Sequence, residues 1–208
     1  MVIVFDLDDT LSKEILFLQS AYREIAQRLG LPQAYDTMLE AYHNGENAFK
    51  KVIGAYGLTC TVDALLNIYR MHVPHIQLTT DARQTLETLQ GRATLGIISD
   101  GRSLQQRHKI HALGLPAYFE DKNIIISEEF GHQKPDPAAY LHFMDAYPKE
   151  EYIYVGDNTK KDFLAPNRLG WDTVCLLDDG TNIHPQDFSL DTPFLPKRCI
   201  THLSKLCG

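Results

Sequence analysis

Five short apolar runs punctuate this 208-residue chain, and each one stops at an acid, a serine or a glycine. They are Val2–Phe5, Leu95–Ile98, Ile124–Ile126, Tyr152–Val155 and Thr173–Leu177. The runs are continuous rather than alternating and rich in β-branched residues, which predicts strands covered on both faces. Helical patterns lie between them. Asp81 to Gln90 sets Ala82, Leu86 and Leu89 on one face and stops at Gly91. Ser103 is placed to cap a helix that carries Leu104, His108 and His111 toward Gly114. Asp136 to Tyr147 opens with a proline at a first-turn position, where a missing N–H costs little. This alternation predicts an α/β fold, a three-layer Rossmann-like parallel sheet with helices on both faces. Its chemistry is expected at the carboxyl ends of the strands.

One segment interrupts the pattern. From Ser12 to Thr79 no strand is apparent, and helices are expected over Glu14–Leu29, Glu46–Tyr56 and from a Thr61 cap to Met71, with a weaker one near Tyr35–His43. We therefore expect a small helical cap domain at residues 12–79 inserted into a core of residues 1–11 and 80–208. Pro74 and Gln77–Thr80 read as the return hinge, Lys197–Ile200 as an edge strand, and Leu203–Leu206 as a closing turn. Six basic and six acidic residues cancel within the insertion, so the net charge of −7 belongs to the rest of the chain. That charge argues against nucleic-acid and membrane-surface partners. With 44% apolar and 23% charged residues the composition is that of a globular chain, not of a disordered or fibrous one. Cys60, Cys175, Cys199 and Cys207 form no C-x-x-C pair, and reduced thiols are the simpler reading. The opening residues lack the basic n-region of a secretory signal, and no apolar run is long enough to span a membrane, so a cytoplasmic location is expected. A monomer is the default.

The strand ends carry the chemistry. The first strand runs into Asp6-Leu-Asp8-Asp9-Thr10, where the chain curls and lets Asp6 and Asp8 converge. Two carboxylates at 4 Å repel by roughly 4 kcal/mol at an effective dielectric near 20, so such a pair implies a cation or a shared proton. The fourth run leads into Gly156-Asp157 and, a turn later, Asp162. If the two strands are neighbours, Asp6, Asp8 and Asp157 make an all-oxygen cluster suited to Mg²⁺, with Asp162 in support. Ser99-Asp100-Gly101 offers a hydroxyl and backbone N–H groups to a phosphate. Lys134, stiffened by the prolines that follow it, would neutralise the acids and grip a dianion. Each piece alone has a plainer reading as loop acids, a turn, a surface lysine or a helix-start acid.

Their order resembles the haloacid dehalogenase superfamily of hydrolases, in its helical-cap, phosphoglycolate-phosphatase-like subgroup. The resemblance covers Met1 to Leu11 and about Asp81 to Leu177, with all four motifs present. It implies that Asp6 attacks phosphorus and becomes an aspartyl phosphate, and that Asp8 protonates the leaving oxygen and then activates water. It implies Mg²⁺ on Asp6, Asp157 and the Asp8 main-chain carbonyl, and Asp162 orienting that shell. Thr10, Ser99, Asp100, Gly101 and Lys134 are the expected phosphate-side residues, Thr10 also setting the first loop. Members that remove halide from carbon typically lack the second aspartate, so Asp8 points to a phosphatase of a small phosphorylated metabolite. A sugar-phosphate mutase on the same core is the alternative. Phosphonate cleavage would need a cap lysine, for which Lys13, Lys50 and Lys51 are available, and a receiver-like domain would lack the inserted cap. Specificity is expected in the cap, around Tyr42, His43, Asn44, Asn47 and Lys50, with His132 at the entrance. His108 and His111 share a helix face but lack the further ligands of a metal site.

Overall fold

The computed structural model describes residues 1–207. Six parallel strands form one sheet in the order β3-β2-β1-β4-β5-β6. They are β1 (Val2–Phe5), β2 (Thr94–Ser99), β3 (Ile124–Ile126), β4 (Tyr152–Gly156), β5 (Asp172–Leu176) and β6 (Arg198–Ile200). All five apolar runs are strands, and the expected edge strand completes the sheet. β1 is central: Phe5 is in register with Ile97 of β2 and Val155 of β4. The chain leaves β1 toward β2 and β3 on one side and continues through β4 to β6 on the other. The strand order thus switches between β1 and β4, where parallel sheets open a crevice at their carboxyl ends.

The central strand supplies both cores. Ile3 and Phe5 face one cluster with Leu86, Leu95, Ile97 and Ile110. Val2 and Val4 face another with Tyr140, Phe143, Tyr154 and Trp171. Period-two alternation of apolar residues on both faces explains why the run has no polar positions. Gly96 sits where a Cβ would lie 2.4 Å from the Phe143 ring, so the strand needs glycine for the helix to pack there.

Four helices follow β1: α1 (Glu14–Leu29), α2 (Ala34–His43), α3 (Ala48–Tyr56) and α4 (Val62–Met71). They enclose their own apolar cluster, including Ile25, Met38, Val52 and Leu65. Gly30 and Gly57 end α1 and α3 in the left-handed conformation. Thr61 caps α4 through Ala64 N–H. α3 starts two residues later than expected, because the Asn47 side chain accepts from Lys50 N–H and takes the cap. Returning to the sheet, α5 (Thr80–Leu89) is capped by Thr79 and buries Ala82, Leu86 and Leu89 as expected. α6 (Ser103–Ala112) departs from expectation. Ser103 caps nothing: its N–H and hydroxyl donate to Glu128 and Glu129. Leu104 is 41% exposed, and the buried face is Gln106, Lys109 and Ile110. The short α7 (Ser127–Phe130), α8 (Ala138–Ala146) and α9 (Leu164–Arg168) complete the layers. All four cysteines are free. Among the described residues no helix is long and apolar enough to cross a membrane.

Candidate active site

The chain turns sharply after β1. Asp6 N–H continues the ladder to Val155 O at 2.8 Å, and the N–H groups of Leu11 and Ser12 return to Leu7 O. Asp9 takes a left-handed φ of 58°, which aspartate tolerates better than most residues. Its carboxylate accepts from Glu14 N–H and from Ile183 N–H, both at 2.9 Å, and so ties α1 and the loop after β5 to the end of β1.

Asp6 and Asp8 leave this turn toward different partners. Asp6 Oδ1 accepts from Lys134 Nζ at 2.6 Å. The same ammonium reaches Asp162 Oδ1 at 2.7 Å and the Tyr154 hydroxyl at 3.0 Å. Asp162 Oδ2 in turn accepts from the N–H groups of Asp157 (3.1 Å) and Asn158 (2.8 Å). Gly156 makes that approach possible, since a Cβ there would lie 2.5 Å from Asp162 Oδ2. Asp157 is braced by the Thr10 hydroxyl at 3.4 Å and by Asn182 Nδ2 at 3.0 Å. Thr10, expected on the phosphate side, therefore spends its hydroxyl on Asp157.

Carboxylate oxygens of Asp6, Asp157 and Asp162 lie within 4.8 Å of one another, all three side chains buried. Burial, opposed by Lys134, pushes the Asp6 carboxyl up to about 7. Burial, and then the charges of Asp162 and Asp6, push Asp157 up to about 9. Burial disfavours the Lys134 charge, but Asp162 and Asp6 outweigh it and hold the ammonium well above the ordinary lysine range. Three acids thus face one ammonium. The upward shifts show that these acids resist being charged together, and that, with the all-oxygen donor set, fits a small hard dication such as Mg²⁺. The Asp8 carboxylate does not join this group. Its Oδ1 accepts from Lys109 Nζ at 2.6 Å and its Oδ2 from Gln106 Nε2 at 2.8 Å, both from α6. Of the expected ligand trio, the carboxylates of Asp6 and Asp157 come together, and only the main chain of Asp8 is left for a metal.

The phosphate-side residues separate in a similar way. Ser99 is 1% exposed and its Oγ accepts from Gln106 Nε2 at 2.7 Å, which leaves its own hydrogen to donate. Asp100 is a bracket: Oδ1 accepts from Lys134 N–H (3.0 Å) and Oδ2 from Lys161 Nζ (3.1 Å). Gly101 N–H, expected to face phosphate, donates instead to Ser127 Oγ at 3.0 Å. A cavity of about 140 Å³ lies over the cluster, lined by Asp6, Asp8, Asp157, Lys161, Glu14 and His184 among others. A second cleft of about 320 Å³, between α4 and α6, shares Asp8, Glu14 and Asp100 with it and brings in Tyr69 and Arg70. Burial, reinforced by Asp8, pushes Glu14 up to about 7.

The sequence motifs do not single out Glu14, Gln106, Lys109, Lys161, Asn182 or His184 as site residues. Lys161 sits inside the Gly156–Asp162 motif and was the most findable of them. The five cap residues expected to set specificity line neither cavity; Asn47 caps α3 and Asn44 ends α2. His132 is exposed, pairs with Asp136 and borders a separate surface hollow. His108 Nδ1 is 3.0 Å from His72 O, while His111 is exposed, so the two form no metal pair.

Relatives bear on this geometry. The chain is 29% identical over 193 residues to a glyceraldehyde 3-phosphate phosphatase of Methanocaldococcus jannaschii, covering 84% of each chain. It is 25% identical to a phosphoglycolate phosphatase of Aquifex aeolicus, covering 92% of each. Its fold matches that of the HAD-hydrolase YfnB of Bacillus subtilis, solved bound to magnesium, with a TM-score of 0.72 at 22% identity over 99% of this chain and 96% of that one. Residues 3–176 match the family model of haloacid dehalogenase-like hydrolases, and the chain belongs to that family.

Proposed function

We propose that this chain is a Mg²⁺-dependent phosphatase that releases phosphate from a small phosphorylated metabolite through an aspartyl phosphate on Asp6. The enzyme is a phosphoric monoester hydrolase. The observation that carries this reading is that two carboxylates two residues apart line one small cavity but are held by different lysines. Lys134 holds Asp6 Oδ1 and leaves Oδ2 to attack phosphorus. Asp8, outside the buried acid cluster, gives a proton to the leaving oxygen and later takes one from the attacking water. Carbon–halogen cleavage needs no such second acid. Asp6, Asp157 and the Asp8 carbonyl would hold Mg²⁺, which when bound supplies positive charge between nucleophile and phosphate. Ser99 and Lys134 would bind the phosphoryl oxygens, and Asp162 would keep Lys134 and the Asp157 backbone in place. Residues 12–79 act as a cap over this core, and the enzyme works as a cytoplasmic monomer. The relatives named for glyceraldehyde 3-phosphate and phosphoglycolate support a substrate of that small size.

The test is phosphate release from a panel of sugar phosphates, nucleotides and short phospho-acids, with Mg²⁺ and with chelator. Metal-dependent release confined to one chemical class is the expected result. Silence across the panel with Mg²⁺ binding intact, or release indifferent to chelator, would overturn the reading.

A further inference from the structure

Helix α6 buries a glutamine and a lysine where a helix against a sheet ordinarily buries an apolar stripe. Their polar contacts go to the candidate active site. Lys109 is 2% exposed; its Nζ donates to Asp8 Oδ1 at 2.6 Å and lies 4.6 Å from the centre of the Phe17 ring. Gln106 Nε2 reaches Asp8 Oδ2 (2.8 Å), Ser99 Oγ (2.7 Å) and Asp100 O (3.0 Å), while its Oε1 has no partner. Two donors three residues apart on one helix face thus take the two oxygens of one carboxylate separately. That fixes the plane of the carboxylate and the side from which it meets the cavity. Both oxygens of Asp8 are thereby engaged by donors, the arrangement that suits a proton acceptor.

Resting on the aspartyl-phosphate reading above, we propose that Gln106 and Lys109 are positioning residues for the second half-reaction. They hold Asp8 where it takes the proton of the water that attacks the phosphoryl group on Asp6. In that step the bond from water oxygen to phosphorus forms and the bond from phosphorus to the Asp6 carboxylate breaks. The electron pair returns to Asp6, the water proton passes to Asp8, and inorganic phosphate is released. The first half-reaction needs Asp8 to give a proton, a task that two donors on its oxygens do not assist. Loss of the clamp therefore slows dephosphorylation more than phosphorylation.

Full-length Lys109→Met and Gln106→Met keep the side-chain length without the donor. They are compared with wild type on p-nitrophenyl phosphate, whose leaving group departs with little help from an acid. Steady-state constants, the thermal midpoint and the acid-quenched phosphoenzyme fraction by intact mass are measured. We expect kcat to fall by about tenfold, KM to fall with it, kcat/KM to stay within about threefold, and phosphoenzyme to accumulate. Lys109→Arg, which keeps a charged donor, restores kcat toward wild type. A fall of kcat/KM equal to that of kcat, with KM and phosphoenzyme level unchanged, is the mark of a merely structural role and overturns the proposal. Absence of phosphoenzyme from wild type and from Asp8→Asn alike would overturn the assignment of Asp6 itself, and this proposal with it.

Discussion

Lys134 and Lys109 reach the turn after β1 from opposite sides, both almost fully buried and both paired to an aspartate at 2.6 Å. Their surroundings differ. Lys134 sits among Asp6, Asp162 and the Tyr154 hydroxyl, and side-chain exposure in its two ion pairs does not exceed 7%. Lys109 has one carboxylate and the face of a ring, and that carboxylate, on Asp8, is 19% exposed at the cavity wall. On the mechanism proposed above, the closed network holds the nucleophile still. An open pair holds a group that still meets solvent and substrate. Burial of the acid, rather than of the lysine, separates the two pairs.

The largest expected effect breaks the chemistry and spares the closed network. Asp6→Asn retains an oxygen for Lys134 but removes the proposed nucleophile. Turnover should fall by about 10³-fold or more with the thermal midpoint nearly unchanged. Wild-type-like phosphate release by this variant would sink the covalent role of Asp6. Next comes the scaffold itself. Lys134→Met leaves two buried carboxylates without their cation, which should cost about 3–5 kcal/mol in denaturant unfolding. Lys109→Met should cost about 2 kcal/mol, the scale of one charged hydrogen bond, because Asp8 is free to turn to water. Equal losses would erase the distinction drawn between the two lysines. A smaller probe is Gly156→Ala. The added methyl drives Asp162 off the N–H groups of Asp157 and Asn158, with an expected loss of about 1–3 kcal/mol. A neutral result would mean that the cluster yields more easily than its packing implies.

The two lysines also differ in how far the sequence exposes them. Lys134 lies between a glycine turn and prolines, just before a helix, in a motif order that points to a site. The strand-end acids are legible for a similar reason: an apolar run that stops at Asp6, or at Gly156-Asp157, marks the carboxyl end of a buried strand. Lys109 and Gln106 carry no such flag. On a helix with few apolar residues, polar positions three apart look like a solvated face. Only the docking of α6 against the turn after β1 turns that face inward. Asn182 and Gln186 are invisible in the same way: they reach the Asp157 side chain and carbonyl because β5 pairs with β4. Motif residues report strand ends, which are local, whereas their supports come from neighbours that only the topology brings close.

A third buried base sharpens the contrast on the same ring. The His72 ring lies 4.6 Å from that of Phe17, the ring that Lys109 also faces. No aspartate or glutamate pairs with it among the described residues. Nδ1 donates to Tyr69 O at 2.9 Å, Nε2 has no partner, and Glu24, His75 and His108 are the titratable neighbours that act on it. Burial lowers its pKa below the ordinary 6.5. The unfolded chain takes up a proton near that value and the folded chain does not. The stability contribution is therefore present above pH 6.5 and lost as pH falls toward the folded value, with a slope of at most about 1.4 kcal/mol per pH unit for one proton. His72→Gln keeps a donor for Tyr69 O and removes the titration. Its unfolding free energy should decline less than that of wild type between pH 7 and 5.5, by denaturant titration at each pH. Parallel declines would assign the acid sensitivity to carboxylates shared by both proteins, and would show that a base buried without a carboxylate adds nothing to it.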